Sequence, residues 1–219
     1  MTPDPPLTRR RLPLAVKVLY TAFMAVLVPY YWMAYGPTNF LYFCDIALFF
    51  ALAALWLESP LLASMPAVGI LVPQTFWVID FLLAVVGVQL TGTTAYMFDP
   101  ALSLFTRGLS FFHFWLPFLL VWMVGRLGYD SRALFGWAVL SWVVQLVCYF
   151  LMPGPPAPPR RPDEQNAPVN INYVYGLGDD AQTWMHPLAW LAGMMVAMPL
   201  VCYVPAHFFL RWAFPRPAR

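Results

Sequence analysis

Long apolar runs, each broken near one end by a few polar residues, make up most of this chain. The run Phe40–Leu57 (FLYFCDIALFFALAALWL) is apolar almost throughout, yet carries Cys44 and Asp45 near its start. The run Leu109–Val124 (LSFFHFWLPFLLVWMV) repeats the arrangement, with His113 at the matching position. Three further runs, Leu14–Tyr35, Ala133–Met152 and His186–Trp212, approach or exceed the roughly 18–20 residues needed to cross hydrocarbon. Leu61–Leu90 is too long for one straight span, and Pro66 and Pro73 interrupt it. It predicts a short interfacial or re-entrant piece, Leu61–Val72, followed by a third span, Pro73–Leu90, with Asp80 near its middle. With Leu109–Leu127 as the fourth span, kinked at Pro117, the pattern predicts six spans.

The connections carry their own signals. Tyr30, Tyr31, Trp32 and Tyr35 predict an interfacial aromatic belt at the end of the first span. Gly36–Asn39 predicts a tight turn, with Thr38 or Asn39 capping the next helix. The longest loop, Pro153–Met185, opens proline-rich and extended, then turns aromatic in NINYVYGLGDDAQTW, which predicts more order. Met1–Pro13 and residues 213–219 read as basic tails flanking one transmembrane domain, 14–212.

Composition fits an all-α polytopic transmembrane bundle. Of the 219 residues, 61% are hydrophobic and only 10% charged, against about 25% charged in a typical soluble domain, and mean hydropathy is +0.66. A β-barrel would show alternating segments of about ten residues, and none occurs. A net charge of +2 is too small to imply a nucleic-acid partner. The odd number of cysteines, Cys44, Cys148 and Cys202, argues against a disulfide framework. The first apolar run follows Arg9-Arg10-Arg11 without a small-residue cleavage site and reads as an uncleaved helix. No HExxH or paired CxxC spacing supports a metal, no Walker or dinucleotide loop supports a nucleotide, and no late-span lysine suits retinal, so no cofactor is expected.

Basic residues set the orientation. With six spans, Arg9, Arg10, Arg11, Lys17, Arg126, Arg132, Arg211, Arg216 and Arg219 fall on one side, and Arg107, Arg160 and Arg161 on the other. That bias predicts both termini in the cytoplasm. Spans two and four then both run inward from the outer face. Cys44 and His113 each lie about four residues below that face, roughly 6 Å down. His186 falls near the same surface and Asp80 lies deeper. A seven-span reading would put His113 at the face opposite Cys44.

The pairing has a chemical logic. A thiolate is a nucleophile, an imidazole beside it moves the proton, and a carboxylate holds the imidazole's second nitrogen. Asp80 and Asp45 are the candidates for that last role, although Asp45 points about 100° away from Cys44 on a helix. Each residue also has a plainer use: Cys44 as a packing residue, His113 as interhelical glue, Asp80 as a structural hydrogen-bonding group, and His186 as a helix cap.

The segments NFLYFCDIALFFALAAL, FFHFWLPFLLVWMV and NINYVYGLGDDAQTWMHPLAWLAGMMV resemble the three hallmark regions of the bacterial YwaF-type integral membrane proteins. That group is similar to a eukaryotic transmembrane acyltransferase of ether phospholipids and, more distantly, to androgen-induced membrane hydrolases of fatty-acid esters. The resemblance implies Cys44 as nucleophile, His113 as general base, and Asn172 and Tyr173 on the substrate side. It also implies a bacterial inner membrane. Tyr42 stands where the ester hydrolases carry their threonine nucleophile, Phe43 where a proline is common, and Met185-His186-Pro187 loosely represents a Gly-Pro-Trp entry. The expectation is a lipid-acyl hydrolase or acyltransferase that uses Cys44, His113, Asp80 and Asp45, with Asn172, Tyr173, Tyr42 and His186 toward the substrate. The alternative is a non-enzymatic carrier or scaffold, with Asp80 as a proton-linked group.

Overall fold

The computed structural model describes residues 12–157, 166–178 and 180–215. Most of both expected tails, together with Arg160 and Arg161, lies outside these residues. Among the described residues every regular element is helical: α1 Leu14–Tyr35, α2 Phe43–Leu57, α3 Pro60–Val85, α4 Leu104–Ser110, α5 Phe112–Leu127, α6 Arg132–Leu151, α7 Pro187–Ala197 and α8 Val204–Ala213. A π-turn, Met198–Tyr203, joins α7 to α8 into one apolar rod. Five segments are long and apolar enough to cross a membrane: α1, α3, α4 with α5, α6, and α7 through α8. The shorter α2, of 15 residues, is equally apolar. These lengths and this composition make the chain a multi-pass helical membrane protein.

The break expected at Pro73 is absent. Pro60–Val85 is one helix of 26 residues with Pro66 and Pro73 inside it, and it ends five residues before Leu90. Pro66 and Pro73 are one heptad apart and so lie on nearly the same face of α3. Pro199 shows how a carbonyl left unpaired by a proline is reused. It has no N–H to offer Met195 O, and the Trp142 indole donates to that oxygen at 2.7 Å.

Neighbouring helices alternate in direction. Lys17 at the start of α1 pairs with Glu58 just past α2 at 2.7 Å. At the opposite end, Tyr31 of α1 hydrogen-bonds Ser110 of α4 at 2.8 Å, and Tyr30 bonds Thr106. The expected aromatic belt is therefore split: Tyr31 turns inward and is buried, whereas Trp32 stays exposed. Back at the first end, the amide of Asp130 donates to Ser64 of α3, and that of Tyr129 donates to Phe214 O beyond α8.

Small residues let these helices approach closely. Ala47, Ala51 and Ala54 form a fully buried stripe on α2 at helical spacing. On α3, a Cβ built at Gly69 would stand 1.8 Å from Trp137 Nε1, so the α6 indole rests directly on the α3 backbone. In a bilayer such close packing, rather than hydrophobic burial, holds helices together.

Candidate functional site

The start of α2 organises the polar residues at one end of the bundle. The chain makes a tight helical turn at Pro37–Leu41, extends at Tyr42, and enters α2 at Phe43. Neither Thr38 nor Asn39 caps α2, since no local side chain does. The cap comes instead from the long loop. Asn172 Oδ1 accepts from Phe43 N at 3.1 Å, and its Nδ2 donates to Leu41 O at 2.8 Å and to Cys148 Sγ at 3.8 Å. Both ends of the amide are thus occupied by the scaffold.

The loop is built to hold that residue. Asn170, Asn172 and Tyr173 all have positive φ, at 51°, 57° and 60°. Asparagine tolerates this region, while at Tyr173 it costs roughly 1–3 kcal/mol. Asn170 braces the turn by accepting from Tyr175 N at 2.9 Å and donating to Gly176 O and Gly178 O. Tyr175 stacks on Tyr149 of α6 and donates to its carbonyl at 2.5 Å. The aromatic half of the loop carries its own hydrogen-bonded turn around Asn170.

Cys44 is the second residue of α2. Its thiol donates to Asp45 Oδ2 at 3.8 Å, and Asn39 Nδ2 donates to the same oxygen at 3.5 Å. Asp45 is 3% exposed, and its other oxygen, Oδ1, is buried with no partner. Asp45 lies in the first turn of α2, where the helix N-terminus favours a negative charge. Asp45 is therefore the immediate partner of the thiol despite the 100° between successive helix residues, because the pair sits in the first turn and the side chains converge beyond the backbone. Tyr31, Tyr42 and Tyr96 lie near Asp45, and Tyr42 and Tyr96 also lie near Cys44. Burial pushes the Tyr96 phenol well above its ordinary range, so it remains a hydrogen-bond donor at neutral pH.

His113 sits two residues past a break between α4 and α5. At this break Phe114 N bonds Phe111 O at 3.0 Å in place of Ser110 O. His113 Nδ1 takes the freed carbonyl at 2.8 Å, and because a carbonyl only accepts, Nδ1 carries the proton and Nε2 the lone pair. The ring lies between Trp77 of α3, at a centroid distance of 5.2 Å, and Phe112, at 4.1 Å. Among the described residues no hydrogen bond joins His113 to Cys44, Asp45 or Asp80. A shared neighbour ties the two halves together. Tyr31 bonds the side chain of Ser110, whose carbonyl holds His113, and Tyr31 also lies near Asp45. The thiol and the imidazole thus belong to the end of the bundle opposite the Lys17–Glu58 pair.

Asp80 has a different task. Its carboxylate accepts from Thr91 N at 2.7 Å, Thr93 Oγ1 at 3.2 Å, Thr94 N at 3.1 Å and Thr94 Oγ1 at 2.7 Å. Four donors saturate it, so it folds the loop after α3 back onto that helix and does not orient His113. The expected depth of Asp80 is corrected for the same reason: α3 ends only five residues later. His186 is exposed and caps α7, its Nδ1 accepting from Leu188 N at 3.3 Å. Tyr173 is 45% exposed, and its carbonyl accepts from the Trp190 indole at 2.9 Å.

Sequence reasoning missed Tyr31, Asn39, Trp77, Tyr96 and Ser110. Tyr31 was hidden in an aromatic belt and Ser110 at a helix end, and no spacing rule separates either from its neighbours. No group of three or more metal-ligating side chains occurs among the described residues. No family model, curated protein or solved structure matches the chain.

Proposed function

We propose that this end of the bundle is a thiol-dependent acyl-transfer site acting on membrane lipids. The reading places it at the outer face of a bacterial inner membrane, in a protein with six spans and both termini cytoplasmic. The Cys44–Asp45 contact carries the proposal, because it joins a nucleophile to a buried proton acceptor at a helix N-terminus. The basic-residue bias and the alternating helix directions support the orientation.

In the first half-reaction the Cys44 proton passes to Asp45 and the sulfur attacks an ester carbonyl carbon. The amides of Cys44 and Asp45, in the first turn of α2, donate to the oxyanion in this reading, a role Asn172 is not free to take. Collapse breaks the C–O bond, and the alcohol leaves with the proton held by Asp45, leaving a thioester. In the second half-reaction water or another alcohol attacks the thioester and gives its proton to His113 Nε2. The C–S bond breaks, and the thiolate takes that proton from His113 Nε2 to become the thiol again. Removal of one such acid–base group costs typically 10²–10⁴-fold in rate.

The test is acyl release or exchange from a labelled diacyl phospholipid by the purified protein in liposomes. Cys44→Ala should abolish turnover, and His113→Asn should reduce it at least 100-fold. Wild-type turnover in Cys44→Ala would end the proposal and leave a non-enzymatic carrier as the reading.

A further inference from the structure

A lateral groove opens between α3, α5 and α8, with a volume of about 700 Å³. That lies within the roughly 300–1,000 Å³ of small-ligand pockets. Its walls include Thr75 and Ile79 of α3, Pro117 and Val121 of α5, and Ala206 and Phe209 of α8. The Thr75 hydroxyl is spent on Leu71 O at 2.7 Å, so the threonine presents only its methyl group to the groove. All three helices belong to segments apolar and long enough to cross a membrane, so the groove meets lipid hydrocarbon rather than water.

Its position connects it to His113. Pro117 is one turn further along α5 on the same face as His113. Trp77, which stacks on the His113 ring, lies between two groove residues of α3, Phe76 and Val78. From that level the groove runs away from the polar end, through Val121 and Phe209, toward the other end of the bundle. A lipid whose headgroup sits at the polar end has its ester level just below and its chain directed toward the bilayer centre.

We infer that this groove binds one acyl chain of a lipid from the leaflet at the polar end, holding the chain's carbonyl end toward His113. The function of the bound lipid rests on the acyl-transfer reading, but occupancy of the groove does not, and the two are tested separately.

The experiment uses Cys44→Ala protein, which cannot turn over, in phosphatidylethanolamine vesicles doped with a glycerophospholipid carrying a diazirine at the end of one acyl chain. After photolysis, adducts are mapped by mass spectrometry. The inference expects adducts concentrated on Val121 and Phe209 and reduced several-fold by excess unlabelled lipid. Thr75→Trp, which fills the groove from an exposed position, should lower the adducts several-fold, while Val139→Trp on α6 should not. Adducts spread evenly over exposed helix faces such as Phe135 and Leu146, or unchanged by Thr75→Trp in protein that elutes as a single species, would overturn it. Specific adducts without turnover in the wild-type protein would instead sink the acyl-transfer reading and leave the groove standing.

Discussion

Cys44 donates its thiol hydrogen to the carboxylate of its own neighbour, Asp45, across 3.8 Å, and Asp45 is buried with its second oxygen unpaired. Asp45→Asn, which can no longer take the thiol proton, should lower acyl turnover roughly 10²–10⁴-fold. The check is the rate of acyl release from a labelled phospholipid. An unchanged rate would mean that Asp45 does not activate the thiol.

His113 offers a separable pair of interactions. His113→Asn can keep the bond to Ser110 O but loses the group at Nε2. His113→Gln keeps a polar group near Nε2 but gives up the Nδ1 bond. The expected outcome is that His113→Asn stays near wild-type in thermal unfolding yet loses turnover roughly 10²–10⁴-fold. Equal thermal losses in both variants, with turnover falling only in proportion, would reduce His113 to interhelical glue.

Asn172 clamps the entrance to α2 through Phe43 and Leu41. Replacing it by Ala leaves a buried amide and a carbonyl unsatisfied, at about 1–3 kcal/mol each. Asn172→Ala should lower the unfolding temperature in detergent and speed hydrogen exchange at the start of α2. Asn172→Asp, which keeps the acceptor for Phe43 N, should be less damaging.

Asp80 separates scaffold from site. Its four donors all come from Thr91, Thr93 and Thr94. Asp80→Ala should loosen the 86–94 loop, measured as faster proteolysis there, while Cys44 alkylation stays within about twofold of wild type, inside the contextual scatter of surface electrostatic effects. A large change in alkylation would return Asp80 to the site.

Gly69 probes helix packing. A methyl group there collides with the Trp137 indole, which is fully buried and has no room to move. Gly69→Ala should destabilise the protein by roughly 1–3 kcal/mol, the usual cost of overpacking, and Trp137→Phe should restore part of that loss. Thermal unfolding of the two single variants and the double variant measures the coupling.

Apolar run length by itself determined the all-helical membrane architecture and the boundaries of α1, α6 and the final rod to within a residue or two, because crossing hydrocarbon is a local demand on consecutive residues. The same counting predicts Cys44 and His113 at one level; the structure has both at the end opposite Lys17–Glu58, in separate hydrogen-bond networks. Only tertiary structure decided the partners. Pro73 reads as a break, yet α3 runs on through it, and Asp80 reads as an intramembrane charge until Thr91, Thr93 and Thr94 fold back to meet it. Asn172 reads as a loop residue until its amide reaches a helix start 129 positions earlier. A hydrogen bond joins groups that are close in space, and the order of residues along a chain holds no record of which distant segment will close that distance.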